Sequence, residues 1–330
     1  MDSKGLIQTD GGNFKIHRVY GGSNNAIYKI ESEQGDFACK LFVEDERQRA
    51  SREYNTLSFI QAVGFDIAPR PIMIDESKTI LPYSIVLYRW TNGKPLSHPI
   101  NKPQLKSFLD SYHQLHSIHP DTTSISFNLT TAWFHWFNFQ KYMDEIKHLY
   151  SLYTPWLETG LEDGFEIKNQ LERIVESLAQ ALSETKIDPG QENIHLSLVR
   201  VDPNPSNAIV SATNHIHWVD WEYSGWGDPC LDLAELRWHE ALQALGDKNL
   251  RWLREHYRLS FDDANFWVRL KLWDHILATR WPFLILRVLW SKYHGPDRVR
   301  LTVLDKSPEH ITQRLKATIQ KTQYFISCDE

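Results

Sequence analysis

Asp202, Asn207 and Asp220 stand five and then thirteen residues apart, in the runs Val199-Arg-Val-Asp-Pro-Asn-Pro-Ser-Asn207 and Val219-Asp-Trp-Glu222. No other feature constrains the fold as tightly. One carboxylate that accepts a proton from an attacking hydroxyl, with an Asn and a second carboxylate that hold magnesium, is the set that phosphoryl transfer from a nucleotide needs. Magnesium favours oxygen ligands and keeps several waters, so two side chains plus phosphates suffice.

A chain built for this chemistry also needs a lysine on a strand, paired with a glutamate on the next helix. Phe37-Ala-Cys-Lys-Leu-Phe42 reads as a short buried strand, and Lys40 inside it requires a partner. Glu53 lies thirteen residues on, in a helical stretch from about residue 45 to 63 that stops at Gly64. Ala50 and Leu57 share its helix face, which turns Glu53 inward toward Lys40. Upstream, Tyr20-Gly-Gly-Ser-Asn-Asn25 precedes a second strand, and its glycines allow backbone amides to approach an anion closely. On its own such a segment is more often a hairpin turn, and its value comes from its place ahead of Lys40.

Together these residues resemble the aminoglycoside phosphotransferase and choline kinase-like family of small-molecule kinases. The family pattern His-Gly-Asp-x-His-Pro-x-Asn, Asp-Trp-Glu, Gly-Asp-Pro-x-x-Asp-Leu-Ala is matched at Asp202, Pro205, Asn207, Asp220, Trp221, Glu222, Gly227, Asp228, Pro229, Asp232, Leu233 and Ala234. Arg200 and Val201 replace its His-Gly. The resemblance implies an α+β, protein-kinase-like fold of two lobes. Residues 1–90 would form an antiparallel-sheet nucleotide lobe, and residues 91–330 a mainly helical lobe with the catalytic loop and substrate cleft. It implies ATP and Mg2+ as cofactors and Asp202 as the catalytic base. Asn207 and Asp220 would be the metal ligands, and Gly22, Ser23 and Asn25 the phosphate loop. Lys40 and Glu53 would form the phosphate-binding pair, and the backbone of Leu87, Tyr88, Arg89 and Trp90 the purine wall. Arg200 and Asp232 would support the loop from behind, although Asp232 also suits simple helix structure.

The acceptor is expected to be a small molecule. Asp220 is followed by Trp-Glu rather than Phe-Gly, and no Ala-Pro-Glu closes an activation segment, which sets the chain apart from protein kinases. Glu222, Glu235 and Asp274, with the indoles of Trp226 and Trp238, suit a cationic acceptor of the aminoglycoside, choline, ethanolamine or amino-sugar type. Most of the thirteen tryptophans fill a helical core, Trp133, Phe134, Trp136, Phe137 and Phe139 among the aromatics that do so.

Two other classes compete. His215-Ile-His217 places two imidazoles on one strand face close to Asp220, with His195 a further candidate, and would suit a zinc hydrolase. The changes at Arg200 and Val201 would suit a nucleotide-binding pseudokinase. The formal charge of −6, without a basic block, argues against nucleic acid. Three scattered cysteines form neither a disulfide framework nor a zinc pattern. A polar N-terminus and the lack of a long apolar run imply a cytoplasmic protein without a membrane span. Downstream, helices are expected from Asn101, over residues 166–182, from Pro229 to about Leu242, and over 265–280 and 283–293 divided by Pro282.

Overall fold

The computed structural model describes residues 6–9, 12–19, 25–122, 128–134, 139–185, 194–259, 263–295 and 306–329. Strands β1 (Leu6–Thr9), β2 (Gly12–Val19), β3 (Ala26–Ser32) and β4 (Gly35–Phe42) follow one another as antiparallel neighbours. Helix α1 (Arg49–Ala62) leaves the sheet, and β5 (Pro71–Asp75) and β6 (Ser84–Arg89) return to it. The order is β1-β2-β3-β4-β6-β5. Alternation sets the faces: Ser84, Val86 and Tyr88 of β6 are buried, while Ile85, Leu87 and Arg89 are half-buried on the other side. In β4 the buried side carries Ala38, Lys40 and Phe42, so the lysine shares a face with core residues.

The remainder is mostly helical. After the short β7 (Lys94–Pro95) comes α2 (Lys102–His116), opened by a capping box in which Asn101 and Gln104 exchange bonds. Helices α3 (Phe139–Tyr153), α4 (Leu157–Gly160) and α5 (Gly164–Glu184) follow. Four short strands then frame the loops of interest: β8 (Ser197–Val199), β9 (Ala208–Val210), β10 (Ile216–Trp218) and β11 (Gly225–Gly227). β9 pairs with both β10 and β7, and β11 pairs with β8. Helix α6 (Pro229–Trp238) is capped by Asp228, as its Asp-Pro start implies, and ends earlier than the sequence suggests, giving way at His239 to a 3-10 turn over Glu240–Leu245. Helices α7 (Asp247–His256), α8 (Phe266–His294) and α9 (Pro308–Asp329) complete the chain. Helix α8 contacts α3, α5, α6 and α9. It buries residues around most of its circumference, as a central core helix must.

The expected break at Pro282 does not occur: α8 runs through it. A proline removes the N–H that would bond the carbonyl four residues earlier, here that of Ala278. The hydroxyl of Thr322 on α9 donates to that carbonyl at 2.9 Å, and Thr322 is fully buried. Tertiary structure thus supplies the bond that local sequence withholds. Of the aromatic run, Phe134 is buried and Trp133 half-buried. Trp136 and Phe137 lie outside the described residues, as do Gly22 and Ser23. No helix among the described residues is long and apolar enough to cross a membrane.

Replacing Thr322 with Val keeps the side-chain shape but leaves the Ala278 carbonyl unpaired in the core. Thermal melting should register a loss of about 1–3 kcal/mol, with Thr322→Ser close to wild type. An unchanged Tm for Thr322→Val would show that the carbonyl does not depend on this hydroxyl.

Candidate active site

Helix α1 and strand β4 bring Glu53 and Lys40 together by the route their spacing implies. Ala50, Glu53 and Leu57 are all buried on one face of α1, and Lys40 Nζ lies 2.5 Å from Glu53 Oε2. Lys40 also donates to Asp220 on the loop after β10, and Glu222 Oε2 lies 3.7 Å away. Burial alone would discharge this lysine, but Asp220, Glu53 and Glu222 outweigh it and hold its pKa well above the ordinary value. The carboxyls of Glu53 and Glu222 are pushed up by burial to about 7. Glu222 is further held by Asn25, which donates to Oε2, and by Arg49, 3.2 Å from Oε1.

Three carboxylates therefore converge on one ammonium. Glu53, Asp220 and Glu222 each place an oxygen within 4.8 Å of the others. This donor set is hard and anionic, and it fits a divalent ion of the magnesium kind. Asp220 is the most exposed of the three and has a backbone φ of 64°.

The loop after β8 is fixed from behind. Asp232, in the first turn of α6, is fully buried and accepts from the backbone amides of Arg200 at 2.8 Å and Val201 at 2.7 Å. His116 of α2 reaches the same carboxylate at 3.1 Å and bonds the Tyr257 hydroxyl through its other nitrogen. Arg200 lies between the rings of Trp218 and Trp221, with its guanidinium carbon 4.4 and 4.5 Å from their centroids. Its Nη2 faces the carbonyls of Asp202, Val219 and Asp220 at 3.1, 3.0 and 3.3 Å, so three acceptors share two hydrogens. One side chain thus ties the Asp202 loop to the Asp220 loop. Val201 has φ of 70°, a region costing an L-residue roughly 1–2 kcal/mol, which a glycine occupies freely.

Asp202 opens onto a cleft of about 880 Å³. Its Oδ1 accepts from the Asn204 amide at 3.1 Å and faces His239 Nε2 at 3.2 Å, and Asn207 Nδ2 makes a long 3.5 Å contact to Oδ2. Burial works to raise Asp202, but the hydrogen bond and charge of His239, with Arg200 beyond, hold it below the usual carboxylate value. Reciprocally, burial works to lower His239, and Asp202 and then Glu235 outweigh it, leaving the imidazole above its ordinary value. The sequence offers no sign of His239, which stands just beyond α6 in no recognisable pattern.

The proposed acceptor residues divide. Glu235 lines the cleft, where burial pushes its carboxyl up to about 7 and Trp281 donates to it at 3.2 Å. Glu222 belongs instead to the Lys40 cluster. Trp226 packs edge-on against Phe59 of α1, and Trp238 donates to Asp274, which in turn holds Arg254 through two bonds of 2.9 and 2.7 Å. Neither indole lines the cleft, nor does Asp274; Trp238 and Asp274 join α6 to α8, and Trp226 packs on α1. Acidic Glu145, Glu235 and Glu240 line the wall together with Arg280, Arg287 and Arg314, so the cleft carries both signs of charge. A second cavity of about 840 Å³, behind α1, lacks Asp202.

At the proposed purine wall, the Arg89 amide donates to the Arg70 carbonyl at 2.8 Å and the Trp90 amide to that of Asp36 at 3.0 Å. Those donors are already used inside the protein. His215 and His217 gather on Asp66, and Asp220 belongs to a different group of carboxylates.

An antiparallel sheet with one buried helix, joined to a helical body that carries Asp202 and Asp220 on adjoining loops, is a kinase-like fold. Residues 15–259 match the model of the phosphotransferase enzyme family APH. The chain belongs to that family. No curated protein matches its sequence. Among solved structures, it is similar to a putative aminoglycoside phosphotransferase from Ralstonia eutropha, at 15% identity and TM-score 0.65 over 97% of this chain and 95% of that one. It is also similar to spectinomycin phosphotransferase APH(9)-Ia, solved with ADP and spectinomycin, at 12% identity and TM-score 0.63 over 93% and 92%. A choline/ethanolamine kinase family protein from Mesorhizobium loti matches at 16% identity and TM-score 0.55 over 93% and 87%. At these identities the likeness is one of fold.

The His239–Asp202 contact makes a pH prediction. A histidine whose folded pKa is raised contributes stability that is full below its unfolded pKa and fades as pH rises through the folded one. The stability gap between wild type and His239→Gln in urea should therefore be largest at mildly acidic pH and shrink at alkaline pH. A gap that widens with pH would contradict the contact.

Proposed function

We propose that the protein is an ATP- and magnesium-dependent kinase that moves the γ-phosphoryl group to a hydroxyl of a small molecule bound in the cleft beside Asp202. The observation that carries this reading is the contact of Lys40 with both Glu53 and Asp220, next to a cleft onto which Asp202 opens. In this reading residues 1–90 hold the nucleotide and residues 91–330 supply the catalytic loop and the acceptor site.

Asn207 and Asp220 would hold magnesium, with Glu222 at its edge. The ion supplies charge neutralisation for the nucleotide phosphates. Lys40, oriented by Glu53, contacts phosphate oxygens, and Gly22, Ser23 and Asn25 contribute the covering loop. Asp202 accepts a hydrogen bond from the acceptor hydroxyl, aligns its oxygen for in-line attack and takes its proton as the bond to the γ-phosphorus forms, while the bond from that phosphorus to the β–γ bridging oxygen breaks and ADP leaves. His239 holds the carboxylate in place and lowers its basicity. Arg200 and Asp232 keep the two loops in register. The cleft wall, with both signs of charge, suits a polar acceptor bearing hydroxyls and amines, of the aminoglycoside, choline, ethanolamine or amino-sugar type.

Phosphoryl transfer from MgATP across those acceptors and matched neutral alcohols tests the reading. One class should be turned over, and Asp202→Asn should lower kcat at least about a hundredfold, the scale of a lost general base, with nucleotide binding retained. Nucleotide binding without transfer to any acceptor would favour the pseudokinase reading, and normal turnover by Asp202→Asn would overturn the assignment of Asp202.

A further inference from the structure

The His215-Ile-His217 run plays no part in the kinase reading, and its surroundings are built. Ile216 and Trp218 of β10 are buried, so His215 and His217 both lie on the outer side of the hairpin, with ring centroids 4.7 Å apart. The hairpin is pinned by the pairing of His217 with Ile209 and of Ile216 with Val210. Facing it is Asp66, in the connection between α1 and β5. The next residue of that connection is fixed to the same strand, because the Trp218 amide donates to the Ile67 carbonyl at 2.7 Å. Two imidazoles and a carboxylate from separate parts of the chain thus meet on a framework that holds their backbones in register.

We propose that Asp66, His215 and His217 form a binding site for a divalent transition-metal ion of the Zn2+ class, which clamps the α1–β5 connection to the β9–β10 hairpin. The ligand atoms of the three residues lie within 4.8 Å of one another. His217 Nε2 is 3.1 Å from Asp66 Oδ1, and His215 Nε2 is 3.9 Å from Oδ2. Donors about 2.0–2.1 Å from a tetrahedral zinc stand about 3.4 Å apart. The two distances bracket that value; to ligate, His215 Nε2 must also give up the hydrogen bond it donates to the Asp66 carbonyl at 2.6 Å, its proton moving to the other ring nitrogen or to solvent. Two imidazole nitrogens and one carboxylate select zinc and its neighbours over magnesium, which prefers oxygen. An entry path is open: the Asp66 side chain is 84% exposed, while that of His217 is 21% exposed and held against the hairpin. The fourth position is left for water. This site is separate from Glu53, Asp220 and Glu222, the other such group of ligating atoms among the described residues.

The test is titration of the chelator-stripped full chain with ZnCl2 by calorimetry, and with Co2+ by visible absorption. The proposal expects one equivalent of zinc at micromolar Kd or tighter, a tetrahedral Co2+ spectrum, and a Tm that rises with zinc. His217→Gln and Asp66→Asn should each weaken binding by more than the about 10–100-fold that loss of a mere supporting partner costs. Asp220→Asn should bind zinc as wild type does. Melting of each variant without metal reports whether it folds. The proposal is overturned by three results: zinc binding that survives His217→Gln combined with Asp66→Asn, binding lost with Asp220→Asn instead, or no binding by folded wild type. The last would leave a hydrogen-bonded latch between His217 and Asp66 that takes no metal.

Discussion

The architecture around the cleft turns on one buried ammonium. Lys40 is almost wholly removed from water, a position that is untenable for an isolated charge. It is sustained because two segments deliver carboxylates to it: α1 brings Glu53, and the loop after β10 brings Asp220 and, slightly farther off, Glu222. Breaking such a cluster by removing one partner costs far more than the cluster contributes over an apolar core. It therefore fixes how the sheet, its helix and the helical body sit together. The acid excess around it is poised for a cation, and the proposed chemistry uses that excess.

Behind this cluster a second layer holds the loops. Asp232 takes the two amides of Arg200 and Val201, and Arg200 spends one nitrogen on the carbonyls of both loops while its face packs against two indoles. The residues where the chain departs from its family's His-Gly pattern thus still join the Asp202 and Asp220 segments, by a different group. Val201 keeps the left-handed backbone that a glycine would adopt more easily. The chain accepts this strain because Asp232 satisfies the amide that the turn exposes.

Much of this was legible in the sequence. Lys40 and Glu53 follow from a strand, a helix and a shared apolar face, and the caps at Asn101 and Asp228 follow from local chemistry. What the sequence could not convey were contacts between distant segments. His239 meets Asp202 only because α6 ends beside the β8 loop, and Thr322 rescues Pro282 only because α9 packs on α8. Trp226, Trp238 and Asp274 carry suitable chemistry for a cationic acceptor, yet their partners are Phe59, each other and Arg254. Residue type alone does not say whether a side chain faces a cleft or a neighbouring helix. The histidine pair shows the same limit, since Asp66 joins it only through tertiary folding.

The central claim is that the carboxylates around Lys40 form a metal-dependent nucleotide site. The most direct measurement is calorimetric titration of the protein with a non-hydrolysable ATP analogue, with and without magnesium, for wild type and Asp220→Asn. The account predicts binding that strengthens markedly with magnesium in wild type, and a magnesium effect that is lost in Asp220→Asn. Nucleotide binding indifferent to magnesium in both proteins, or absent from both while each remains folded, would contradict it.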